Sequence, residues 1–469
     1  MEEKSKSQGQ LLMEKLSYKK KNCYEKAQPA EIENMFAYAE GYKDFLDRAK
    51  TEREAVTYAV KAAEACGFRP FAWGETLKAG DKRYYDNRGK SVVLFRIGEN
   101  DPETDGIRIV ASHIDAPRID IKQNPLYEDS GMCFLKTHYY GGIKKYQWTA
   151  IPLALHGAVV LKDGSKVELR IGEEPDDPIF YINDLLPHLS REQMTQPLSK
   201  AIGGEDLNVL IGGLPYPDQE VSDKLKLNVL HILNEKYGIC EEDFLSAELS
   251  AVPAFGARDI GLDRAFIGAY GHDDRVCSYP AMTALLEADG KHTVMTILAD
   301  KEEIGSEGVS GMLSAAFDKF MGELCDTQGV LLRDCFAKSF CVSADVTAAY
   351  DPNFAEVYDK RNSAFINYGV GLCKYTGAGG KSGASDASAE VVGKLRRLLN
   401  EEKVFWQMAE LGKTDAGGGG TVAKFMAQRN IDTIDAGVPV LSMHAPYETV
   451  AKLDCYMTYR CMKAVFEKA

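Results

Sequence analysis

Histidine and carboxylate residues stand directly after four short apolar runs of the chain. The runs and the residues that follow them are 107–111 with His113 and Asp115, 293–299 with Glu302 and Glu303, 339–343 with Asp345, and 438–443 with His444. Apolar runs of this length predict buried β-strands. Because ligands of open α/β sheets bind outside the carboxyl ends of the strands, the four runs predict one crevice that collects these side chains.

A fifth acidic motif, Gly271-His272-Asp273-Asp274-Arg275, precedes a helix-like run at 276–287. Each motif alone has an ordinary explanation. An Asp before a helix is often an N-cap, and a His-x-Asp or Glu-Glu sequence is often a solvated turn. Together the motifs place several carboxylates in one crevice, where cations are needed to neutralise them.

The mixture of donor atoms indicates which metal this crevice would bind. Two histidine nitrogens with several carboxylate oxygens favour zinc, whereas calcium and magnesium prefer oxygen ligands alone. The ligands outnumber the four places of one tetrahedral zinc, so we predict two zinc ions, about 3.5–4 Å apart, that share a carboxylate. Manganese or cobalt is an alternative at the same ligands. One of Glu302 and Glu303 would bind metal, and the other would accept a proton.

The elements that must position these residues predict an α/β protein. Apolar residues at helical spacing over 31–66 predict one or two amphipathic helices, and strand and helix patterns alternate again from about 257. Between these regions, short strand-like runs broken by Gly, Asp and Pro, with one helix near 222–236, predict a β-rich insert. We therefore predict an α/β domain with a mixed, largely parallel sheet, formed by residues 1–124 and 257–469 and interrupted by an inserted β-rich domain at 125–256.

The composition excludes several classes of function. The 469 residues carry a net charge of −14, which argues against nucleic acid as a partner because phosphate binding needs a basic surface. The chain has no run of about 18 apolar residues, so no membrane span is predicted. No apolar stretch of signal-peptide length follows the lysine-rich N-terminus, and the 11 scattered cysteines include no Cys-x-x-Cys pair. These features predict a cytoplasmic protein.

Five stretches of the chain resemble the aspartyl aminopeptidase and aminopeptidase I family of cocatalytic zinc metallopeptidases. They are ASHIDAPRID (111–120), GHDDRVCSYPAM (271–282), DKEEIGSEGVSG (300–311), VSADVTAAYDPN (342–353) and VPVLSMHAPYE (438–448). The stretches occur in the order that the family has, and they span nearly the whole chain. The resemblance implies a zinc-peptidase (phosphorylase/hydrolase-like) domain interrupted by a β-rich insert.

The resemblance also implies the metal ligands. The expected assignments are His113 and Asp345 to one zinc, Glu303 and His444 to the other, and Asp273 as the carboxylate that bridges both. The family often has Asn after the bridging Asp, where this chain has Asp274. We take Asp273 as the bridge, because the residues that follow it then align best with the helix of the family, and we keep Asp274 as the alternative.

The reaction that the resemblance implies is hydrolysis of the N-terminal peptide bond of peptides with a free N-terminus. A zinc-activated water would attack the first peptide carbonyl, with Glu302 as the general base. Asp115 would support the site by orienting His113.

Assembly is a further implication of the resemblance, because the family forms a homo-dodecamer in which the insert makes subunit contacts. A histidine of the insert reaches a neighbouring active site in the family. The segment YINDLLPHLSRE (181–192) resembles that region, so His188 is expected to contact substrate there. Lys374 and Lys381 flank a Gly-rich loop, and either is a candidate to contact an acidic substrate side chain. This loop departs from the aspartyl-specific pattern, so the preferred N-terminal residue stays open.

The remaining histidines and a glycine run receive structural interpretations. His138, His156, His231 and His292 lie in none of these motifs and are expected to be structural. Gly417–Gly420 lacks the lysine and the strand of a nucleotide-binding loop, so a flexible loop beside the active site is the expected interpretation.

Two other functions fit parts of the same pattern. A metal-dependent deacylase or carboxypeptidase on the same scaffold would keep the metal ligands but recognise a substrate carboxylate. A non-catalytic assembly protein would keep only the fold, but the complete ligand set with Glu302 argues against it. Hydrolysis of aminoacyl-nitroanilides, compared with their N-acetylated forms, separates all three.

Overall fold

The computed structural model describes residues 6–469. Residues 1–5, which belong to the predicted segment 1–124, lie outside the described residues. The first eleven strands are β1 (Arg69–Pro70), β2 (Lys82–Asn87), β3 (Ser91–Arg96), β4 (Ile107–His113), β5 (Arg118–Asp129), β6 (Met132–Tyr140), β7 (Leu153–Val160), β8 (Lys166–Ile171), β9 (Tyr181–Ile182), β10 (Val209–Gly212) and β11 (Ala247–Pro253). The others are β12 (Arg258–Ile260), β13 (Phe266–Ala269), β14 (Thr293–Ala299), β15 (Phe340–Ser343), β16 (Thr347–Ala348), β17 (Val370–Cys373), β18 (Trp406–Met408), β19 (Asp432–Gly437), β20 (Pro439–Leu441) and β21 (Glu448–Ala451).

Helices alternate with these strands outside the region of β5–β11, as the pattern of the sequence predicts. Together with α5 and α6, which lie within that region, the helices of the described residues are α1 (Gln8–Leu16), α2 (Pro29–Arg48), α3 (Glu52–Ala65), α4 (Pro102–Asp105), α5 (Leu198–Ala201), α6 (Lys224–Tyr237), α7 (His272–Leu286), α8 (Ala316–Gln328), α9 (Leu332–Lys338), α10 (Ala389–Glu401), α11 (Ala423–Gln428) and α12 (Lys452–Lys468). The helical pattern over 31–66 resolves into α2 and α3, because Thr51 and Glu54 form a capping box that starts a new helix. None of the helices within residues 6–469 is long and apolar enough to cross a membrane.

A nine-stranded sheet forms the centre of the α/β part, in the order β1-β2-β3-β14-β4-β15-β19-β17-β18. Its middle strands β14, β4, β15 and β19 are parallel neighbours. On either side of them, β3 pairs antiparallel with β14, and β17 pairs antiparallel with β19. Every residue of β4 and β14 is buried, as expected for parallel strands that helices cover on both faces. One face packs against α2, α3, α7, α10 and α12, and the other packs against α8, α9 and α11. The predicted mixed, largely parallel sheet is confirmed.

His444 reaches the site from a different sheet than the sequence suggests. The apolar run 438–443 is predicted as a further strand of the main sheet, but β20 pairs with β16 and β21 in a separate five-stranded sheet, β12-β13-β21-β20-β16. The prediction of one sheet for all four runs is therefore wrong. An apolar run shows that a strand is buried but carries no information about its hydrogen-bonding partner.

The third sheet has seven strands, in the order β8-β7-β11-β5-β6-β10-β9, and lies between the two parts of the chain that build the nine-stranded sheet. The chain enters this sheet at Arg118 and leaves it at Pro253. Leu225 and Val229 of α6 join its apolar core. The division into domains at 125 and 256 stays a prediction.

Buried charges join this seven-stranded sheet to helix α3. The ring of His156 in β7 lies 2.8 Å from Glu54 through Nδ1 and 2.9 Å from Glu173 through Nε2. Oε1 of Glu173 also forms an ion pair with Nζ of Lys50 at 2.7 Å, and the side chain of Lys50 is 3% exposed. Burial opposes the charged form of His156, but the two glutamates prevail and raise its pKa. His156 thus has the structural role expected for it.

We predict that His156→Gln lowers the free energy of unfolding by about 1–3 kcal/mol, because a buried carboxylate loses its partner. Because the pKa of His156 is raised in the folded state, its protonation stabilises the fold. This stabilisation is complete below the pKa of the unfolded state, about 6.5, and is lost as pH rises through the pKa of the folded state. The difference between wild type and variant should therefore be larger at pH 6 than at pH 9. Urea unfolding followed by circular dichroism measures it. His231→Gln, at an exposed histidine of α6, is the control, and a pH-independent difference would contradict the prediction.

Candidate functional site

The structure brings the predicted metal ligands to one cavity of about 820 Å³. The elements that carry them are the end of β4, the first turn of α7, the turn after β14, the loop after β15 and the loop after β20. The predicted residues that line this cavity are His113, Asp273, Glu302, Glu303, Asp345 and His444. Three of these elements are ends of strands that are parallel neighbours, so they meet at the same edge of the sheet.

The carboxylate of Asp273 lies between the two histidines. Its Oδ1 is 3.2 Å from Nε2 of His113, and its Oδ2 is 3.2 Å from Nε2 of His444. On one side, Nε2 of His113 is also 3.9 Å from Oδ1 of Asp345. On the other side, Nε2 of His444 is 3.5 Å from Oε2 of Glu303. Oε2 of Glu302 faces His113 at 3.9 Å. The donors therefore form two groups that share one carboxylate.

Asp274 lies beside this arrangement and contacts the backbone. Its Oδ2 accepts a hydrogen bond of 3.2 Å from the N–H of His113. Donor atoms of His113, Asp274 and Asp345 also lie within 4.8 Å of one another, as do those of His113, Asp273 and Glu303. The peptide bond between the two aspartates is cis. Both aspartates thus face the cluster, and the choice of Asp273 as the bridge stays a prediction.

The donor set fits zinc. Oδ1 of Asp273, Oδ1 of Asp274 and Oε1 of Glu303 are buried and have no hydrogen-bond partner within residues 6–469. Buried carboxylate oxygens without partners are costly, and a metal ion is one way to satisfy them. Imidazole nitrogens together with carboxylate oxygens are the ligands that catalytic zinc sites use.

Burial and the charges of neighbouring groups together shift the pKa values in the cluster. Burial, assisted by the charges of Asp115 and Asp273, raises the pKa of Glu302 to about 7 against the opposing charge of His113. Burial and nearby aspartates likewise raise the pKa of Asp345. Burial acts to lower the pKa of His444, but Asp273 and Glu303 raise it to about 10. The cluster thus attracts positive charge strongly, and metal ions and protons would compete for it.

Asp115 supports more of the site than His113 alone. It is fully buried, and its Oδ1 lies 3.3 Å from Nδ1 of His113. The same oxygen accepts a 3.1 Å hydrogen bond from the N–H of Glu302, and Oδ2 accepts one of 3.2 Å from the N–H of Glu303. One carboxylate therefore fixes a histidine and the backbone of both glutamates.

Glu448 is a functional residue that the sequence analysis missed. Its carboxylate is buried and accepts hydrogen bonds of 3.0 Å from the N–H of Asp273 and 2.7 Å from the N–H of His444. It therefore links the first turn of α7 to the loop that carries His444. Its position at the end of the 438–448 motif was the available signal, but nothing in the residue type distinguishes it from a surface glutamate.

Two predicted substrate contacts lie away from the cavity lining. Nζ of Lys374 forms an ion pair of 2.5 Å with Oδ1 of Asp386. Within residues 6–469, Lys374 does not line the cavity. Lys381 does line the cavity, with its Nζ 3.8 Å from the ring centre of Tyr375. His188 is exposed on the loop after β9 and does not line the cavity of its own chain. The run Gly417–Gly420 forms part of the cavity wall, where the sequence analysis places it.

Known proteins are similar to this chain in sequence and architecture. A family model described as aminopeptidase I zinc metalloprotease (M18) matches residues 45–466. A probable M18 family aminopeptidase 1 of Clostridium acetobutylicum is 49% identical over 447 residues, which cover 93% of this chain and 96% of that protein. The crystal structure of an M18 family aminopeptidase from Thermotoga maritima superposes with a TM-score of 0.92 at 43% identity, covering 97% of this chain and 100% of that one.

A more distant structure shares the fold. The mApe1 dodecamer of Saccharomyces cerevisiae superposes with a TM-score of 0.75 at 20% identity, covering 92% of this chain and 97% of that one.

We predict that Glu448→Ala lowers metal affinity about 10–100-fold, because the backbone of Asp273 and His444 loses its common acceptor. Metal titration of the purified variant measures this. Asp454→Ala is a matched control, since Asp454 is also a buried carboxylate that accepts hydrogen bonds from two backbone N–H groups, those of Asn367 and Gly369. Both variants should lose stability, but only Glu448→Ala should lose metal. Equal metal affinity in the two variants would contradict the prediction.

Proposed function

Since this chain belongs to the aminopeptidase I zinc metalloprotease family (M18), and is thus a zinc-dependent aminopeptidase, we propose that it uses two zinc ions and Glu302 as general base. The observation that carries the proposal is the carboxylate of Asp273, which lies 3.2 Å from each of the two histidine Nε2 atoms. A carboxylate in this position can bridge two cations.

Five side chains would hold the two ions. His113 and Asp345 would bind one ion, Glu303 and His444 would bind the other, and Asp273 would bind both. The distances within each group support this division. Asp274 is then a positioning residue, because its Oδ2 already accepts the N–H of His113. Manganese or cobalt would fit the same ligands.

The chemistry depends on a proton that Glu302 can move. When bound, zinc supplies a Lewis acid that activates water and polarises a carbonyl. Glu302 would take a proton from the attacking water and pass it to the amine nitrogen that leaves. Burial raises the pKa of its carboxyl above the ordinary value and thus toward neutral pH, where a general base works best. Asp115 holds the backbone of Glu302 during both transfers.

The substrate would be a peptide with a free N-terminus that enters the 820 Å³ cavity. Besides the ligand candidates, the cavity wall carries Lys381, Lys413 and Lys424 together with Glu410. Side chains of both signs face the cavity, so the preferred N-terminal residue stays open. The family relationship favours an aminopeptidase over a deacylase, a carboxypeptidase or a non-catalytic assembly protein.

The chain is further proposed to act as a homo-dodecamer in the cytoplasm. The yeast structure of the same fold is a dodecamer, which supports the proposal for this chain. His188 lies on an exposed loop next to the seven-stranded sheet, where a neighbouring subunit could use it. It would then contact substrate in that neighbour's cavity.

We predict that Glu302→Gln retains two equivalents of metal and lowers kcat by about 10²–10⁴-fold, because the amide cannot accept the proton. Hydrolysis of an aminoacyl-p-nitroanilide and elemental analysis measure the two properties. Glu307→Gln, in the same loop at an exposed glutamate, should match wild type. Loss of metal together with activity would show that Glu302 and Glu303 have the opposite roles.

We predict that Asp273→Ala loses metal at both positions, since two cations without a shared carboxylate repel each other. Elemental analysis of Asp273→Ala and Asp274→Ala side by side identifies the bridge. If Asp274→Ala loses both metals while Asp273→Ala keeps them, Asp274 is the bridge.

We predict that His188→Ala leaves the metal content unchanged but lowers activity, because the histidine serves a neighbour. Mixing this variant with Glu302→Gln subunits should restore part of the activity where subunits exchange, since some sites then regain both groups. Light scattering that finds a fully active monomer at assay concentration would contradict both the assembly and the role of His188.

A further inference from the structure

The segment Tyr140–Gly142 crosses from the seven-stranded sheet to the metal-ligand cluster. Tyr140 is the last residue of β6, and its hydroxyl donates a hydrogen bond of 2.8 Å to Oδ2 of Asp115. The carbonyl of Gly142 lies 2.7 Å from Nδ1 of His444, which leaves Nε2 of that ring to face Asp273. A Cβ atom on Gly141, between them, would lie 3.3 Å from Oε2 of Glu303. Tyr140 and Gly142 therefore contact the site, and the residue between them passes close to it.

The ring of Tyr140 is itself held firmly. Arg118, its cross-strand partner in β5, places its guanidinium 4.2 Å from the ring centre. That guanidinium is in turn fixed by Glu52 at 2.9 Å and Asp120 at 2.7 Å. Tyr140 and Arg118 are both 8% exposed, so solvent has little access to the contact. A buried cation over a ring face stabilises this orientation.

Asp115 transmits the position of Tyr140 to the general base. The same Oδ2 that accepts the tyrosine hydroxyl also accepts the N–H of Glu303, and Oδ1 accepts the N–H of Glu302. A buried carboxylate with one partner removed can turn about its own bond, and the backbone hydrogen bonds that it receives then weaken. The loss would act on the loop of Glu302 first, because His113 is also held through the backbone carbonyl of Asp115, at 3.0 Å from its Nδ1.

From this geometry we propose that Tyr140 is a positioning residue of the reaction: its hydroxyl fixes Asp115, and Asp115 fixes the backbone of Glu302. The inference rests on the proposed role of Glu302. It assigns to the seven-stranded sheet a direct part in aligning the proton transfer, in addition to any part in assembly.

The test is Tyr140→Phe, which removes only the hydroxyl. We expect kcat for an aminoacyl-p-nitroanilide to fall about 10–100-fold, with KM changed by less than about 2-fold and with unchanged metal content. Tyr139→Phe is the matched control, because that neighbouring side chain is 41% exposed. A wild-type kcat in Tyr140→Phe would overturn the inference. A loss of metal in proportion to activity would also overturn it, since the hydroxyl would then support the ligands.

A double-mutant comparison separates positioning from a general structural effect. Asp115→Asn and Tyr140→Phe should have effects on kcat that are not additive, because both act along one chain of hydrogen bonds. Additive effects would overturn the inference.

Where Tyr140→Phe does not fold, Arg118→Lys loosens the ring while keeping the charge, and it should lower kcat in the same way. If Glu302→Gln is fully active, the proposed function fails; if it is inactive and Tyr140→Phe is unimpaired, only this inference fails.

Discussion

Mutual repulsion among buried carboxylates is the constraint on which the arrangement of this site depends. Asp273 and Asp274 are almost fully buried, and Glu303 and Asp345 lie against them at the cavity. Such a group is stable only where cations and N–H donors compensate the charge. The backbone N–H of His113 donates to Asp274, and the two histidines mark the places that cations would take. The remaining features of the site follow from the need to hold these groups at short distances.

Two further carboxylates, Asp115 and Glu448, meet that need without lining the cavity. Each is buried, and each accepts hydrogen bonds from two backbone N–H groups of residues in the site. Asp115 binds the loop after β14 to the strand that carries His113. Glu448 binds the first turn of α7 to the loop that carries His444. A site built between rigid elements keeps its geometry better than one built on loops alone.

Another part of the cavity wall is built from loops that carry none of the candidate metal ligands. It consists of two glycine-rich loops that pack closely, because a Cβ atom on Gly418 would lie 2.4 Å from the carbonyl oxygen of Gly377. Both glycines have positive φ, 96° at Gly377 and 145° at Gly418, which other residues adopt only with strain. The close approach of two loops therefore explains the glycine at position 418. Lysines of these loops also line the cavity.

Local patterns in the sequence were sufficient for much of this protein. Apolar runs located β4, β14 and β15 to within a few residues, and helical spacing located α2, α3 and α6. The acidic and histidine residues after the strands indicated which side chains meet at the cavity, because the chemistry of a candidate metal site depends on residue types. Five motifs in order were enough to identify the family. These features depend on neighbours along the chain, so one sequence carries them.

Only the tertiary structure decided how these pieces meet. It placed β20 in a separate sheet, set the carboxylate of Asp273 between His113 and His444, and directed Lys374 to Asp386. It also brought Glu448 and Tyr140 into hydrogen bonds with residues of the site, although their residue types alone do not indicate such contacts. Strand pairing and side-chain convergence are contacts between residues far apart in the chain, and they are fixed by packing of the whole molecule. The sequence therefore determined which groups could act, and the long-range contacts decided which of them come within bonding distance.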